Sequence, residues 1–355
     1  MNKTKNLTTK ETFALAVQHH QKNNLKVAEN LYKKILKKDS HHASAHNNLG
    51  LVLQAFGKFQ KAKSCYEKAI EIQPNYANAY NNLGIILKEL GEREKAISNY
   101  EKAIKINPNF AETHNNLGLI FYSLGDFQKA RSCYEKSIQI QPNFAHAHNN
   151  LGIIFKELGE NQKAINCYKK AIHIQPNYAG AYLNLGNVVK ELGEYQKAKN
   201  FYQKAIEINP KFSDANLNLG IIFEELGEFR KAINCYEKAL KFKPNSVNAQ
   251  ASISNIYITQ LDNLKKAISA SYKALKMQYK TFKFINRSIP MYRLKHDVQQ
   301  AQYLSSKNYK IDGISKFQKI GGEILSRKEN ERDDSSSNEK ILLNHDEINS
   351  LLPFY

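Results

Sequence analysis

Residues Ala77 to Phe110 read ANAYNNLGIILKELGEREKAISNYEKAIKINPNF, and this stretch decides the fold. Leu83, Leu87 and Leu90 recur at spacings of four and three, which predicts a first helix, A, over about Asn78 to Leu90. Gly91 then supplies a left-handed residue that ends it. Ala96, Tyr100, Ala103 and Ile104 form one stripe of a second helix, B, over about Arg93 to Ile106. Pro108 cannot continue that helix, and Asn109 is placed to cap the next one. Gly84 and Ala96 are small, so A and B can approach closely while Tyr100 and Leu87 fill the adjoining space.

The same unit recurs on both sides. Gly50, Gly84, Gly118, Gly152, Gly186 and Gly220 lie 34 apart. So do Ala62, Ala96, Ala130, Ala164, Ala198 and Ala232, and so do the prolines Pro74, Pro108, Pro142, Pro176, Pro210 and Pro244. Six copies span 43–246 without insertion or deletion. A fixed period of this size predicts a solenoid in which each repeat stacks on the next. Residues 9–42 are a divergent copy, with Leu15, Ala16, Ala28, Tyr32 and Leu36 in register, Ala16 where the others have Gly, and no Pro. Terminal repeats differ because one face meets water.

The small Gly of helix A, the Ala, Tyr and Ala of helix B and the closing Pro together resemble the tetratricopeptide repeat, over about Thr9 to Met277. One departure is systematic: the aromatic position early in helix A holds His46, Tyr80, His114, His148, Tyr182 and Asn216. The expected fold is all-α, a right-handed α-solenoid of stacked helix-turn-helix repeats with a partly disordered C-terminal tail. Its parts are a disordered start (1–8), the divergent first repeat (9–42), six regular repeats (43–246) and a degenerate last repeat (247–277). A helical tail (278–326), a disordered linker around Asp333-Asp334-Ser335-Ser336-Ser337 (327–338) and a short apolar segment (339–355) follow. The last segment reads as the opening of a further domain.

The resemblance implies a concave groove lined by the A helices and a protein or peptide partner within it. Asn48, Asn82, Asn116, Asn150, Asn184 and Asn218 occupy one position in all six copies. An amide offers donor and acceptor together, so a row of them can bond the backbone of an extended peptide. This row is similar to the asparagine ladder of the O-linked N-acetylglucosamine transferase superhelix; packing inherited with the repeat is the bland alternative. A second row, Asn47, Asn81, Asn115 and Asn149, and the apolar positions Ile85, Leu119 and Ile153 complete the expected groove. The paired Lys and Arg with which some family members grip a C-terminal carboxylate are replaced here by Asn or Leu.

The net charge of +19 invites a nucleic-acid reading. The groove positions hold Lys88, Lys156 and Lys190 against Glu89, Glu112, Glu157, Glu191, Asp214, Glu224 and Glu225. The excess lysines, such as Lys95, Lys102, Lys129, Lys136, Lys163 and Lys197, fall on helix B and the turns. A phosphate-tracking groove needs its positive charge inside, so nucleic acid stays a minor alternative. Cys65, Cys133, Cys167 and Cys235 share one repeat position and read as small buried residues rather than disulfide partners. His146 and His148, two apart on a helix, point to different sides and make poor co-ligands. No phosphate loop, nucleophile elbow or paired catalytic carboxylate is present. The expectation is a cytoplasmic interaction scaffold without catalysis, cofactor, metal, membrane span or small-molecule substrate. The alternative is the substrate-recognition arm of a truncated enzyme, a glycosyltransferase or an iron- and 2-oxoglutarate-dependent oxygenase, whose catalytic domain is absent.

Overall fold

The computed structural model describes residues 7–260, together with Lys266, Ser269, Ala270 and Lys273. Every regular element among them is an α-helix. In chain order these are α1 (Thr9–Gln21), α2 (Leu25–Lys38), α3 (Ala43–Ala55), α4 (Phe59–Ile72), α5 (Ala77–Glu89), α6 (Arg93–Ile106), α7 (Ala111–Ser123) and α8 (Phe127–Ile140). They continue as α9 (Ala145–Glu157), α10 (Asn161–Ile174), α11 (Ala179–Glu191), α12 (Tyr195–Ile208), α13 (Ser213–Glu225), α14 (Phe229–Phe242) and α15 (Val247–Thr259). The expected tail over 278–326, the linker over 327–338, the apolar segment over 339–355 and most of the second helix of the last repeat lie outside the described residues, as do residues 1–6. Helix B of the quoted repeat matches its expected bounds; helix A starts and ends one residue earlier.

Two compact units divide after Val188, inside α11. In the first, α1/α2, α3/α4, α5/α6, α7/α8 and α9/α10 are helix pairs of an α-solenoid, and α2, α4, α6 and α8 also pack on the A helix that follows each. In the second, α13 and α14 make such a pair, flanked in sequence by α12 and α15. Outside α1/α2, where Ala16 stands in the place of glycine, the core of each pair rests on one contact. The Tyr66, Tyr100, Tyr134, Tyr168 and Tyr236 rings lie over Gly50, Gly84, Gly118, Gly152 and Gly220, so closely that an added Cβ would meet ring carbon at 2.5–2.6 Å. Ala62, Ala96, Ala130, Ala164 and Ala232 have no exposed surface, and these short side chains let the paired helices close on the rings.

The A-to-B turns follow the expected glycine signal: Gly57, Gly91, Gly125, Gly159, Gly193 and Gly227 have φ between +69° and +78°. In the first pair Asn23 takes this role at φ 59°, a conformation Asn tolerates better than other side chains. Capping departs from expectation. Asn109 does not cap α7; Phe110 is the N-cap residue and contributes no side-chain bond. The Asn109 amide instead donates to Asn107 Oδ1 at 3.2 Å, which shapes the Pro108 turn. Thr8, assigned to the disordered start, closes a capping box on α1: its amide donates to Glu11 Oε2 at 2.8 Å, and the Glu11 amide to Thr8 Oγ1 at 3.2 Å.

Candidate functional site

The A helices of the first unit carry an amide seam. Asn82 Nδ2 donates to Asn47 Oδ1 at 3.0 Å, Asn116 to Asn81 at 3.2 Å, Asn150 to Asn115 at 3.0 Å and Asn184 to Asn149 at 2.9 Å. Within a helix the bonds return: Asn47 Nδ2 donates to Asn48 Oδ1 at 3.2 Å, and Asn149 to Asn150 at 3.4 Å. Asn81 Oδ1 also accepts from Thr113 Oγ1 at 3.1 Å. The two asparagine rows thus form a hydrogen-bonded network in two segments, one running from Asn48 to Asn116 and one from Asn115 to Asn184, each crossing two repeat junctions.

The network corrects half of the expected groove. Asn47, Asn81, Asn115 and Asn149 are only 2–5% exposed. Stacking of the next repeat covers them, so they hold the junctions together and do not face a partner. Asn48, Asn82, Asn116, Asn150 and Asn184 remain half-buried, and so do Ile85, Leu119 and Ile153 on the same helices. In the second unit, Asn218 on α13 is also half-buried. An open cleft of about 490 Å³ lies along α1, α3 and α5, with Leu51, Ile85 and Phe59 as apolar walls and His20, Gln54 and Glu89 among its polar ones.

The histidines of the early A-helix position have a role that spacing alone did not reveal. His46 bonds the Ser40 carbonyl through Nε2 at 3.0 Å, His114 the Pro108 carbonyl at 3.1 Å and His148 the Pro142 carbonyl at 2.9 Å. The ring nitrogen donates, which pins each A helix to the loop before it. Burial holds His114 below its ordinary pKa, although the Pro108 carbonyl favours the charged form. The one signal in the sequence was that His, Tyr and Asn alternate there, all able to donate. No group of three or more His, Cys, Asp or Glu converges among the described residues.

Several of the outer lysines are engaged in ion pairs. Lys95 pairs with Glu92 at 2.6 Å, Lys129 with Asp126 at 2.9 Å and Lys197 with Glu194 at 2.8 Å. Lys163 pairs with Glu160 and Lys231 with Glu228 in the same way. Each pair sits in the first turn of a B helix, where the carboxylate also meets the positive helix end. Burial pushes the thiols of Cys65, Cys133, Cys167 and Cys235 up to about 11.

Paired helices of constant length, a glycine turn in all but the first pair and a tyrosine over glycine define a class of repeat protein built to present a surface. Models of the tetratricopeptide repeat match residues 41–109, 111–144, 133–166, 179–212 and 213–246, and a TPR repeat model matches 153–193. The chain belongs to the tetratricopeptide repeat family. No curated protein matches the sequence. Among solved structures, the APC/C hetero-tetramer Cut9–Hcn1 matches with a TM-score of 0.59 at 18% identity, over 71% of this chain and 49% of that one. Pseudomonas aeruginosa pilF matches with 0.54 at 23% identity, over 60% and 97%. A tetratricopeptide repeat protein from Parabacteroides merdae matches with 0.54 at 20% identity, over 69% and 97%. At these identities the likeness is one of fold. No helix among the described residues is long and apolar enough to cross a membrane.

Proposed function

We propose that this protein-interaction repeat array binds an extended peptide on the A-helix face of its first unit, through the peptide backbone. The observation that carries the reading is the half-exposed amide row from Asn48 to Asn184. In Asn82 the seam uses one N–H and one oxygen lone pair. An amide has two of each, so a donor and an acceptor remain for a ligand. The bonds that use the first pair also hold the side chain in one orientation, which lowers the entropy lost on binding. Spacing supports the match. Packed helices stand about 8–10 Å apart, and an extended chain advances about 3.3 Å per residue. One amide therefore meets roughly every third peptide residue, and the side chains between are left to Ile85, Leu119 and Ile153.

The test is panning of displayed random linear peptides against the full chain and against the triple variant Asn82→Ala, Asn116→Ala, Asn150→Ala. Clones that bind the parent and are lost by the triple variant, while its far-ultraviolet circular dichroism stays helical, support the reading. Clones held equally by both remove the amide row from the site.

A further inference from the structure

Among the described residues one buried side-chain polar atom has no hydrogen-bond partner, the hydroxyl of Tyr100. Its counterparts in neighbouring repeats locate it. Asn48 Nδ2 donates to Tyr32 Oη at 3.4 Å, and Tyr66 Oη donates to Gln54 Oε1 at 3.0 Å. A B-helix tyrosine hydroxyl therefore lies between the A helix of its own repeat and the amide row of the next. For Tyr100 the corresponding residues are Lys88 and Asn116. Neither serves it: Lys88 Nζ lies 3.1 Å from Glu89, and Asn116 Nδ2 donates to Asn81.

Two carboxylates lie on the same two helices as Lys88 and Asn116. Glu89 is on α5, beside Lys88, and Glu112 is one turn before Asn116 on α7. Burial raises the pKa of the Tyr100 hydroxyl, and the charges of Glu112 and Glu89 add to it. Glu89 also walls the cleft formed with Leu51 and Ile85. Local charge is negative here in a chain whose net charge is +19.

We infer that the corner made by Glu89, Glu112 and Tyr100 Oη seats a lysine or arginine side chain of the bound peptide, with an apolar side chain of that peptide in the adjoining cleft. The inference rests on the peptide reading above and adds the ligand's chemistry to it. An ammonium or guanidinium group donates to the two carboxylates and to the tyrosine oxygen, which gives the buried hydroxyl its missing partner. Lys88 is the resident cation; its side chain is 37% exposed, so it can swing into water when the ligand cation arrives.

The test uses the same displayed peptides on the full chain, then the best clone as a labelled synthetic peptide against Glu89→Gln/Glu112→Gln, which keeps side-chain shape and removes charge. The expected result is enrichment of Lys or Arg next to an apolar residue, and a loss of about tenfold in affinity for the double variant. Tyr100→Phe, which keeps the ring, lowers affinity by about two- to fivefold. Replacing the peptide's basic residue with Leu gives a loss that does not add to that of the double variant. Parent-binding clones without basic residues, or undiminished binding to the double variant, overturn the inference. If such clones still need Asn82, Asn116 and Asn150, the peptide site stands and only its charge preference is wrong. If no clone is enriched, both readings fail.

Discussion

Replacing Gly84 with Ala sets two effects against each other. Gly84 lies within α5 and has an ordinary helical φ, so helix propensity alone favours Ala by about 0.8–1 kcal/mol. The added Cβ, however, would sit 2.5 Å from Tyr100 Cε1, 2.7 Å from Cδ1 and 2.9 Å from Cζ. Carbon atoms in contact prefer about 3.5–4.0 Å. The Tyr100 ring has no exposed surface and Ala96 and Ala103 beside it have none either, so it cannot turn away without moving α6. Overpacking of this kind costs about 1–3 kcal/mol. The difference is a net loss of about 0–2 kcal/mol, read as a lowered urea midpoint by far-ultraviolet circular dichroism. Tyr100→Leu, which shortens the side chain facing the new methyl, makes the second arm. The double variant is expected to be about 1 kcal/mol more stable than the sum of the single losses. A stabilising Gly84→Ala, or strict additivity with Tyr100→Leu, refutes the argument that the tyrosine edge requires glycine.

Four further outcomes are expected. Gly91→Ala forces a Cβ into φ +78° with no steric neighbour, so it loses about 1–2 kcal/mol through backbone strain alone, without any rescue by Tyr100→Leu. Lys88→Gln places at α5 the residue type that accepts from Tyr66 at 3.0 Å in the preceding repeat, and raises stability by about 0.5–1.5 kcal/mol in the same assay. The four cysteine thiols, raised from 9.0 to about 11, stay neutral in the folded chain while unfolded thiols ionise. Stability is therefore whole below pH 9 and falls as pH climbs toward 11, and at pH 8 the folded thiols react with iodoacetamide about 100-fold more slowly than a free peptide thiol. At the acid end, Glu92, Asp126 and Glu228 have pKa values lowered chiefly by hydrogen bonds, from Lys95 and Lys63, from the Lys129 amide and side chain, and from Lys231. Their stabilisation is present above the ordinary carboxylate range and is lost as pH falls through their lowered values; an acid titration whose midpoint is unmoved by Lys95→Gln and Lys231→Gln would contradict this.

Period and side-chain size were enough to read the helix pairs from the chain itself. A residue count of 34 fixes where each glycine, alanine and tyrosine recurs, and local chemistry fixes the turns, because only glycine takes φ near +78° cheaply. Helix B from Arg93 to Ile106 was legible to the residue for that reason. The division of labour between the two asparagine rows was not. Asn81 and Asn82 are adjacent, identical in chemistry and equally regular in the repeat, yet one is sealed at 2% exposure and the other half-open. Neighbouring residues on a helix point about 100° apart, and which direction is covered depends on how the next repeat stacks. The lone hydroxyl of Tyr100 has the same origin: it depends on whether residues on two other helices have their polar groups to spare, and only packing brings those helices to it.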